Sequence, residues 1–192
     1  MGNDSASATI LVVDDETEVA DVYALKLERE YDVRVAYGGQ EALVKVDEDV
    51  DVVLLDRRMP DLSGHDVLAE LRDRGLDCRV IMITAVDPDF DIIEMPFDDY
   101  LCKPVESGDL VGAVEQQLAA GEYDGRLTEY YEVTSKLALL EAEKTPRELE
   151  GNEDVEALRE RAERLEAEMS ESLSDFEDFE MAFREIGRQP GR

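Results

Sequence analysis

Three short segments of the chain are apolar at nearly every position and end in a polar residue. They are TILVVD at 9–14, DVVLLD at 51–56 and RVIMIT at 79–84. A strand with one face in water alternates apolar and polar side chains, whereas a strand buried on both faces is apolar almost throughout. These segments therefore predict inner strands of a parallel sheet that is covered on both faces.

Amphipathic stretches separate these strands from one another and from two shorter ones, DVRVA at 32–36 and DDYLC at 98–102. Strand and helix alternate five times over residues 9–121, which predicts a doubly wound (βα)5 α/β domain with a flavodoxin-like parallel sheet. Only 18 residues, two of them prolines, lie between Thr84 and Lys103. The fourth helix is therefore expected to be short or irregular. Residues 1–8 are small and polar, and we expect them to be disordered.

The carboxyl ends of the predicted strands carry five polar side chains. Asp14 and Asp15 follow the first strand, Asp56 ends the third, Thr84 ends the fourth and Lys103 follows the fifth. Ligands of doubly wound sheets bind outside the carboxyl ends of the strands. A turn would accommodate each residue alone, but their convergence on one edge predicts a functional site.

The chemistry of these groups favours a metal ion and a phosphoryl group. Three aspartates at one edge would destabilise one another unless a cation neutralised them. Oxygen ligands without histidine or cysteine favour Mg²⁺, which keeps several waters and takes one or two carboxylates plus a phosphate oxygen. Lys103 adds a positive charge and Thr84 a hydroxyl donor, which suit a transferring phosphoryl group. The predicted reaction is phosphoryl transfer to Asp56, which would give an acyl phosphate.

Four motifs in this order resemble the receiver domain of two-component response regulators. They are VVDDE at 12–16, LLDRRMPDLSG at 54–64, IMITA at 81–85 and DDYLCKP at 98–104. The resemblance covers residues 8–120 and implies that Asp56 is the phosphoacceptor, which a sensor histidine kinase phosphorylates from its own phosphohistidine. It also implies a cis Lys103–Pro104 peptide bond and a tight turn at Gly64. By the same resemblance, Lys103 binds the phosphoryl group, and Thr84 and Tyr100 form a switch pair. Asp15, Asp56 and the Arg58 backbone carbonyl are implied as direct Mg²⁺ ligands, and Asp14 as a ligand that binds directly or through water.

The charge of the chain constrains its surroundings and partners. There are 50 acidic and 20 basic residues, and the formal net charge is −30. Molar salt screens such a charge, so we interpret it as a solvated surface suited to a very salty cytoplasm. It does not support a nucleic-acid partner, because phosphate binding needs a basic face. The basic cluster LRERAERLE at 158–166 alternates with glutamates and is expected to form helix-surface ion pairs.

Membrane insertion and metal sites built from cysteine are not expected. No apolar run reaches about 18 residues and no basic leader precedes one, which predicts a cytoplasmic protein without a membrane span. Cys78, Cys102 and His65 have no zinc-ligand spacing.

Helices are predicted for residues 126–187, after a boundary between Gly121 and Gly125. Thr145, Pro146 and Glu148 form a capping box that starts one of them. An apolar stripe follows with three-four spacing at Val155, Leu158, Ala162, Leu165, Met169, Ser172, Phe176, Phe179, Phe183 and Ile186. The stripe is compatible with a hairpin against residues 127–141, with an intermolecular coiled coil that forms a homodimer, or with a helix without a fixed partner. The segment EYYEVTSKLALLEAEKTPREL at 129–149 resembles the HalX domain that follows haloarchaeal receivers.

Three functions are compatible with these observations. The first is a response regulator, a non-enzyme whose phosphorylation controls a helical interaction module and, through it, a downstream protein that the sequence does not identify. The second keeps the receiver but makes the C-terminal helices a DNA-binding transcriptional regulator. The third is a Mg²⁺-dependent phosphohydrolase with an aspartyl-phosphate intermediate. That chemistry usually needs an acid–base aspartate two residues after the nucleophile, where this chain has Arg58.

Overall fold

The computed structural model describes residues 7–85, 90–121 and 125–172. Five strands form one sheet in the order β2-β1-β3-β4-β5, and every neighbouring pair is parallel. Their bounds are β1 Thr9–Val13, β2 Asp32–Ala36, β3 Val52–Asp56, β4 Arg79–Thr84 and β5 Asp99–Cys102. The predicted doubly wound parallel sheet is confirmed, and its strand order reverses at β1 and β3, where ligands of such sheets bind.

Helices cover both faces of the sheet. α1 (Thr17–Leu27) and α4 (Ser107–Gly121) cover one face, and α2 (Gly39–Lys45) and α3 (Gly64–Asp73) cover the other. Val12 and Leu54 belong to the first core, whereas their neighbours Val13 and Leu55 belong to the second. Successive strand residues therefore point into different cores, which explains why these strands are apolar at every position.

The connection between β4 and β5 has little helical structure in its described part, residues 85 and 90–98. Its described residues form only a 3₁₀ helix, Phe90–Ile93, which confirms the prediction of a short or irregular fourth helix. Ile92, Met95 and Phe97 are nevertheless almost completely buried. They share one core with residues of the C-terminal helices, namely Leu140, Leu149 and Val155. The C-terminal helices thus help to cover the described part of this connection.

The C-terminal helices fold back on one another. α5 (Gly125–Glu143) leads through the short α6 (Pro146–Leu149) to α7 (Glu153–Ser172), which packs along α5. The capping box at Thr145 is present: its backbone N–H donates to Glu148 Oε2 at 2.9 Å. Val155 and Leu165 of the apolar stripe are completely buried. In the described part of α7 the stripe is thus used within the chain, in agreement with the hairpin hypothesis; residues 173–192 lie outside the described residues.

Arginines of the basic cluster bind the facing helix. Arg161 forms a bidentate ion pair with Glu129 of α5, at 2.7 Å from Nε to Oε1 and 2.6 Å from Nη2 to Oε2. Arg159 donates to Glu141, also of α5, at 3.1 Å. The expected ion pairs therefore join α7 to α5 rather than neighbours on one helix. None of the helices in the described ranges has the length and apolarity needed to cross a membrane.

Charged side chains connect α5 to the receiver sheet. Asp98, which is buried just before β5, accepts from Arg72 at 3.0 Å and from Arg79 at 2.7 Å. Arg79 also donates to Thr128 of α5 at 3.1 Å. Lys136 of α5 is buried, donates to the Ile93 carbonyl at 3.2 Å and lies over the Phe97 ring at 5.1 Å. The hairpin is thus attached by polar contacts as well as by a shared core.

Glu132 lies in this junction, and burial together with the charge of Asp98 raises the pKa of its carboxyl from 4.5 to about 7. Lys136, Arg79 and Arg72 oppose this shift. The folded state therefore holds the proton more tightly than the unfolded state does. The contribution of Glu132 to stability is therefore fully present below about pH 4.5 and is lost as the pH rises towards 7.

We expect Glu132→Gln to remove this pH dependence. The variant should be more stable than the wild type by about 1 kcal/mol above about pH 7.5, after allowance for solvent screening, and nearly equal to it at about pH 4.5. Urea unfolding at both pH values in molar KCl would measure the difference. The exposed Glu143→Gln is the matched control and should change stability little at either pH. A Glu132→Gln benefit of equal size at both pH values would contradict this explanation.

Candidate active site

The sheet brings the predicted site residues to its carboxyl edge. Asp56 is the last residue of β3 and Thr84 the last of β4, and the register pairs Asp56 with Ile83. Asp14 follows β1, and Lys103 follows β5, from where its backbone N–H donates to the Thr84 carbonyl at 2.7 Å. The Lys103–Pro104 peptide bond is cis. The strand ends therefore bring Asp14, Asp56, Thr84 and Lys103 to one edge of the sheet.

The Lys103 ammonium lies between two buried carboxylates. Its Nζ is 2.7 Å from Asp14 Oδ2 and 2.9 Å from Asp56 Oδ1, and these residues are only 2% and 5% exposed. The other oxygen of each carboxylate accepts a backbone N–H: Asp14 Oδ1 from Glu16 at 2.9 Å, and Asp56 Oδ2 from Arg58 at 2.8 Å. Backbone hydrogen bonds and one lysine thus fix both carboxylates in position.

The electrostatic balance of this cluster leaves Asp56 less acidic than an exposed aspartate. Burial raises the pKa of the Asp56 carboxyl, and the charge of Asp14 adds to this effect, while Lys103 and the Arg58 amide oppose it. Burial alone would lower the pKa of the Lys103 ammonium, but its hydrogen bonds to Asp14 and Asp56 raise it above its usual range. Lys103 therefore stays charged, and it compensates for the burial of the carboxylates.

Asp15 is placed differently from the other two aspartates. It is exposed and lines an open pocket beside Gly38, Met59 and Asp61. Across residues 7–85, 90–121 and 125–172, no three acidic, histidine or cysteine side chains meet closely enough to hold a metal ion. The donors at this edge are nevertheless all oxygen atoms, and Mg²⁺ needs only one or two carboxylates because waters and a phosphate complete its coordination. The donor chemistry therefore fits Mg²⁺.

The two predicted switch residues lie on neighbouring strands. Thr84 is completely buried, and Tyr100 in β5 is 5% exposed. The Tyr100 ring contacts the Phe97 ring with centroids 5.6 Å apart and planes inclined at 52°. Burial raises the pKa of the Tyr100 phenol, and a hydrogen bond from Arg57 opposes that rise. Tyr100 thus lies between the predicted site and the residues that contact α5.

Arg57, which directly follows the predicted phosphoacceptor, is not among the site residues predicted from the sequence. Its Nη2 pairs with Asp91 of the 3₁₀ helix, and its side chain is hydrogen-bonded to Tyr100. The sequence shows only that a basic residue follows a buried strand. An arginine on the surface would have the same position in the sequence, so the contacts of Arg57 could not be predicted. The contacts that identify this residue come from segments more than 30 positions away along the chain.

Gly64 is the point at which α3 approaches the end of β3. Its N–H donates to the Arg57 carbonyl at 3.0 Å. A Cβ atom on Gly64 would lie 2.2 Å from the Asp56 carbonyl oxygen and 2.9 Å from the Arg57 Cα. The close approach that fixes the backbone of Asp56 thus requires glycine at this position.

Comparison with known proteins identifies both parts of the chain. The model of the response regulator receiver domain matches residues 10–115. The chain belongs to the response regulator receiver family. The model of the HalX domain matches residues 119–185, so this response regulator combines a receiver with a HalX domain. Receivers of this family pair with histidine kinases in two-component systems.

Relatives of this response regulator include a Haloferax volcanii protein described as a candidate transcriptional regulator. The two are 47% identical over 168 residues, which are 87% of this chain but 28% of the relative. The chain thus spans little more than a quarter of that protein's length.

Solved receiver structures resemble the first part of the chain. A CheY-like receiver of Methanospirillum hungatei is 28% identical, with a TM-score of 0.57 over 61% of this chain and 98% of its own. The TrrA response regulator of Thermotoga maritima, solved in complex with Mg²⁺–BeF, is 32% identical, with a TM-score of 0.52 over 58% of this chain and 99% of its own.

Proposed function

We propose that Asp56 accepts a phosphoryl group from a sensor histidine kinase in a Mg²⁺-dependent reaction, and that its phosphorylation state controls the α5–α7 hairpin. The observation that carries this proposal is the position of Lys103, whose ammonium contacts both Asp14 and Asp56. A buried carboxylate beside a permanent cation is suited to accept and hold a phosphoryl dianion. The pairing of receivers with histidine kinases in this family supports the choice of donor.

In the proposed reaction an Asp56 carboxylate oxygen forms a bond to phosphorus while the bond from phosphorus to the kinase imidazole nitrogen breaks. The leaving imidazole takes its proton from solvent, and the product is an acyl phosphate. Lys103, 2.9 Å from Asp56 Oδ1, stabilises the negative charge of the phosphoryl oxygens. The N–H of Arg58 and the contact with Lys103 keep the carboxylate oriented. Asp14, directly or through water, together with Asp15, Asp56 and the Arg58 carbonyl, would hold Mg²⁺, whose charge would neutralise further phosphoryl charge when it is bound.

A groove beside the site supports the proposal that a kinase helix binds there. Val19, Val22 and Tyr23 of α1 line one side of it, and Pro104 and Val105 line the other. Val22 is 49% exposed, and Lys103 also borders the groove. An apolar helix face that binds this groove would bring its phosphohistidine close to Asp56.

We propose that the protein is not an enzyme, because the acyl phosphate is a regulatory state of the protein itself.

The test is phosphorylation by radiolabelled acetyl phosphate in molar KCl with Mg²⁺. We expect the wild type to acquire acid-stable, base-labile label and Asp56→Asn to lose it by at least about a hundredfold, because the nucleophile is gone. The matched control is Asp61→Asn, an exposed aspartate of the adjacent pocket, which should retain label. Chelation of Mg²⁺ should abolish labelling of the wild type. Wild-type labelling of Asp56→Asn would exclude Asp56 as the acceptor.

The Haloferax relative favours a second, narrower proposal, in which the output acts on transcription. The net charge of −30 and the pairing of Arg159 and Arg161 with α5 leave little basic surface for DNA. We therefore propose that the action on transcription goes through protein contacts. A mobility-shift assay in molar KCl distinguishes the two routes: a specific DNA complex of the purified chain would favour direct binding.

A further inference from the structure

Arg57 contacts two separate elements beyond the site. It is adjacent to Asp56 in the chain, its Nη2 pairs with Asp91 in the 3₁₀ helix, and it is hydrogen-bonded to the Tyr100 side chain in β5. Two hydrogen bonds fix the backbone of Arg57. Its N–H donates to the Ile83 carbonyl at 3.1 Å, and its carbonyl accepts from the Gly64 N–H at 3.0 Å. The residue that directly follows Asp56 thus joins the end of β3 to the 3₁₀ helix and to β5 through its side chain.

Both contacts of Arg57 lead to the same side chain of α5. Tyr100 contacts the Phe97 ring, and Lys136 Nζ lies 5.1 Å from the centre of that ring. The 3₁₀ helix that contains Asp91 ends at Ile93, whose carbonyl accepts from Lys136 Nζ at 3.2 Å. Lys136 is 7% exposed. The position of Lys136, and with it that of α5, thus depends on Tyr100 and on the 3₁₀ helix, both of which Arg57 contacts.

The Arg57 guanidinium is incompletely paired in this state. Its Nη1 is buried and finds no acceptor among the residues that the structure describes. A buried N–H without an acceptor costs about 1–3 kcal/mol, so the guanidinium would gain stability from an additional acceptor. Phosphorylation of Asp56 would add negative charge at the residue that directly precedes Arg57 in the chain. That charge would attract the guanidinium and weaken its contacts with Asp91 and Tyr100.

We propose that Arg57 is the positioning residue that couples phosphorylation of Asp56 to the seating of α5, through its contacts with Tyr100 and Asp91. This inference rests on the proposed function of Asp56. It assigns no chemical role to Arg57, which acts through its two partners. In the phosphorylated state the 3₁₀ helix and α5 are held less tightly, and α5 opens from the receiver more often.

The test is amide hydrogen exchange in α5 of the full chain, with and without beryllofluoride and Mg²⁺ in molar KCl. We expect the phosphoryl mimic to speed exchange in wild-type α5 by about tenfold, as a coupling of ordinary size would. In Arg57→Gln this difference should fall below about twofold, while acetyl phosphate still labels Asp56. Arg57→Lys should restore part of the difference, since lysine can pair with Asp91. Arg34→Gln, a surface arginine paired with Asp47 at 2.8 Å, is the matched control and should behave as the wild type.

A second variant keeps the test decisive if Arg57→Gln does not fold. Asp91→Asn leaves Arg57 in place, removes only the ion pair to the 3₁₀ helix, and should reduce the difference in exchange by at least about half. Full wild-type differences in Asp91→Asn, or in a folded Arg57→Gln, would overturn the inference. The inference would also be overturned if acetyl phosphate labels wild-type Asp56 but beryllofluoride does not change amide exchange in wild-type α5. Failure to label wild-type Asp56 would instead refute the proposed function, so the two failures are distinguishable.

Discussion

Lys103→Met is expected to destabilise the protein by about 3 kcal/mol when Mg²⁺ is removed by a chelator at neutral pH. The substitution removes the cation that lies between Asp14 and Asp56, and the two buried carboxylates are left to repel each other. Guanidinium unfolding in molar KCl would measure the loss. Added Mg²⁺ should raise the unfolding midpoint of the variant more than that of the wild type, because the metal ion then supplies the only neutralising charge.

A second substitution and a surface control separate this effect from a general loss of packing. In the background of Lys103→Met, Asp56→Asn should recover most of the stability, since it removes one of the repelling charges. Lys45→Met is the control, because Lys45 is exposed and its pair with Glu41 contributes less than about 1 kcal/mol. Equal stability of Lys103→Met and wild type in chelator would show that Lys103 does not compensate for the buried carboxylates.

Gly64→Ala is expected to cost at least about 3 kcal/mol and to abolish phosphorylation of Asp56. The new methyl group would lie 2.2 Å from the Asp56 carbonyl oxygen, which is backbone and cannot move aside as a side chain could. α3 would have to separate from the end of β3, and a shift of that size moves the acceptor carboxylate out of its orientation. Thermal unfolding and acetyl phosphate labelling measure the two effects independently.

Gly112→Ala is the matched control for this substitution. Gly112 lies inside α4, and a Cβ there would meet no atom within 4 Å. Because alanine favours the helix more than glycine does, this variant should gain about 0.5–1 kcal/mol and label normally. A Gly64→Ala protein with normal stability and labelling would show that α3 can retreat without displacing Asp56.

The sheet and the grouping of Asp14, Asp56 and Lys103 follow from sequence patterns. A buried parallel strand is apolar on both faces, and all parallel strands end at the same edge, so the polar residues at the strand ends are placed together before any side-chain contact is known. The convergence of Asp15 with the buried carboxylates was also expected, but its side chain is exposed at the pocket. Periodicity places a residue at an edge and does not fix the direction of a side chain in a loop.

The arrangement of the C-terminal helices could not be deduced in the same way. Apolar residues with three-four spacing suit a hairpin as well as a coiled coil, since both use the same packing geometry. The outcome depends on the short β4–β5 connection, whose buried Ile92 and Phe97 provide a surface for α5. The contacts of Arg57 and the burial of Glu132 likewise arise only once distant segments meet.

The packing of α5 on the β4–β5 connection has a consequence for transferring the receiver domain to another protein. A fusion protein could be made by cutting the chain between Gly121 and Gly125 and joining the receiver to another output domain. Here such a cut would bare Ile92, Met95 and Phe97, which the helices beyond residue 121 help to cover. A transplanted receiver would then need its own helices to remain free of aggregation. In this chain the unit of modularity is the receiver together with its hairpin.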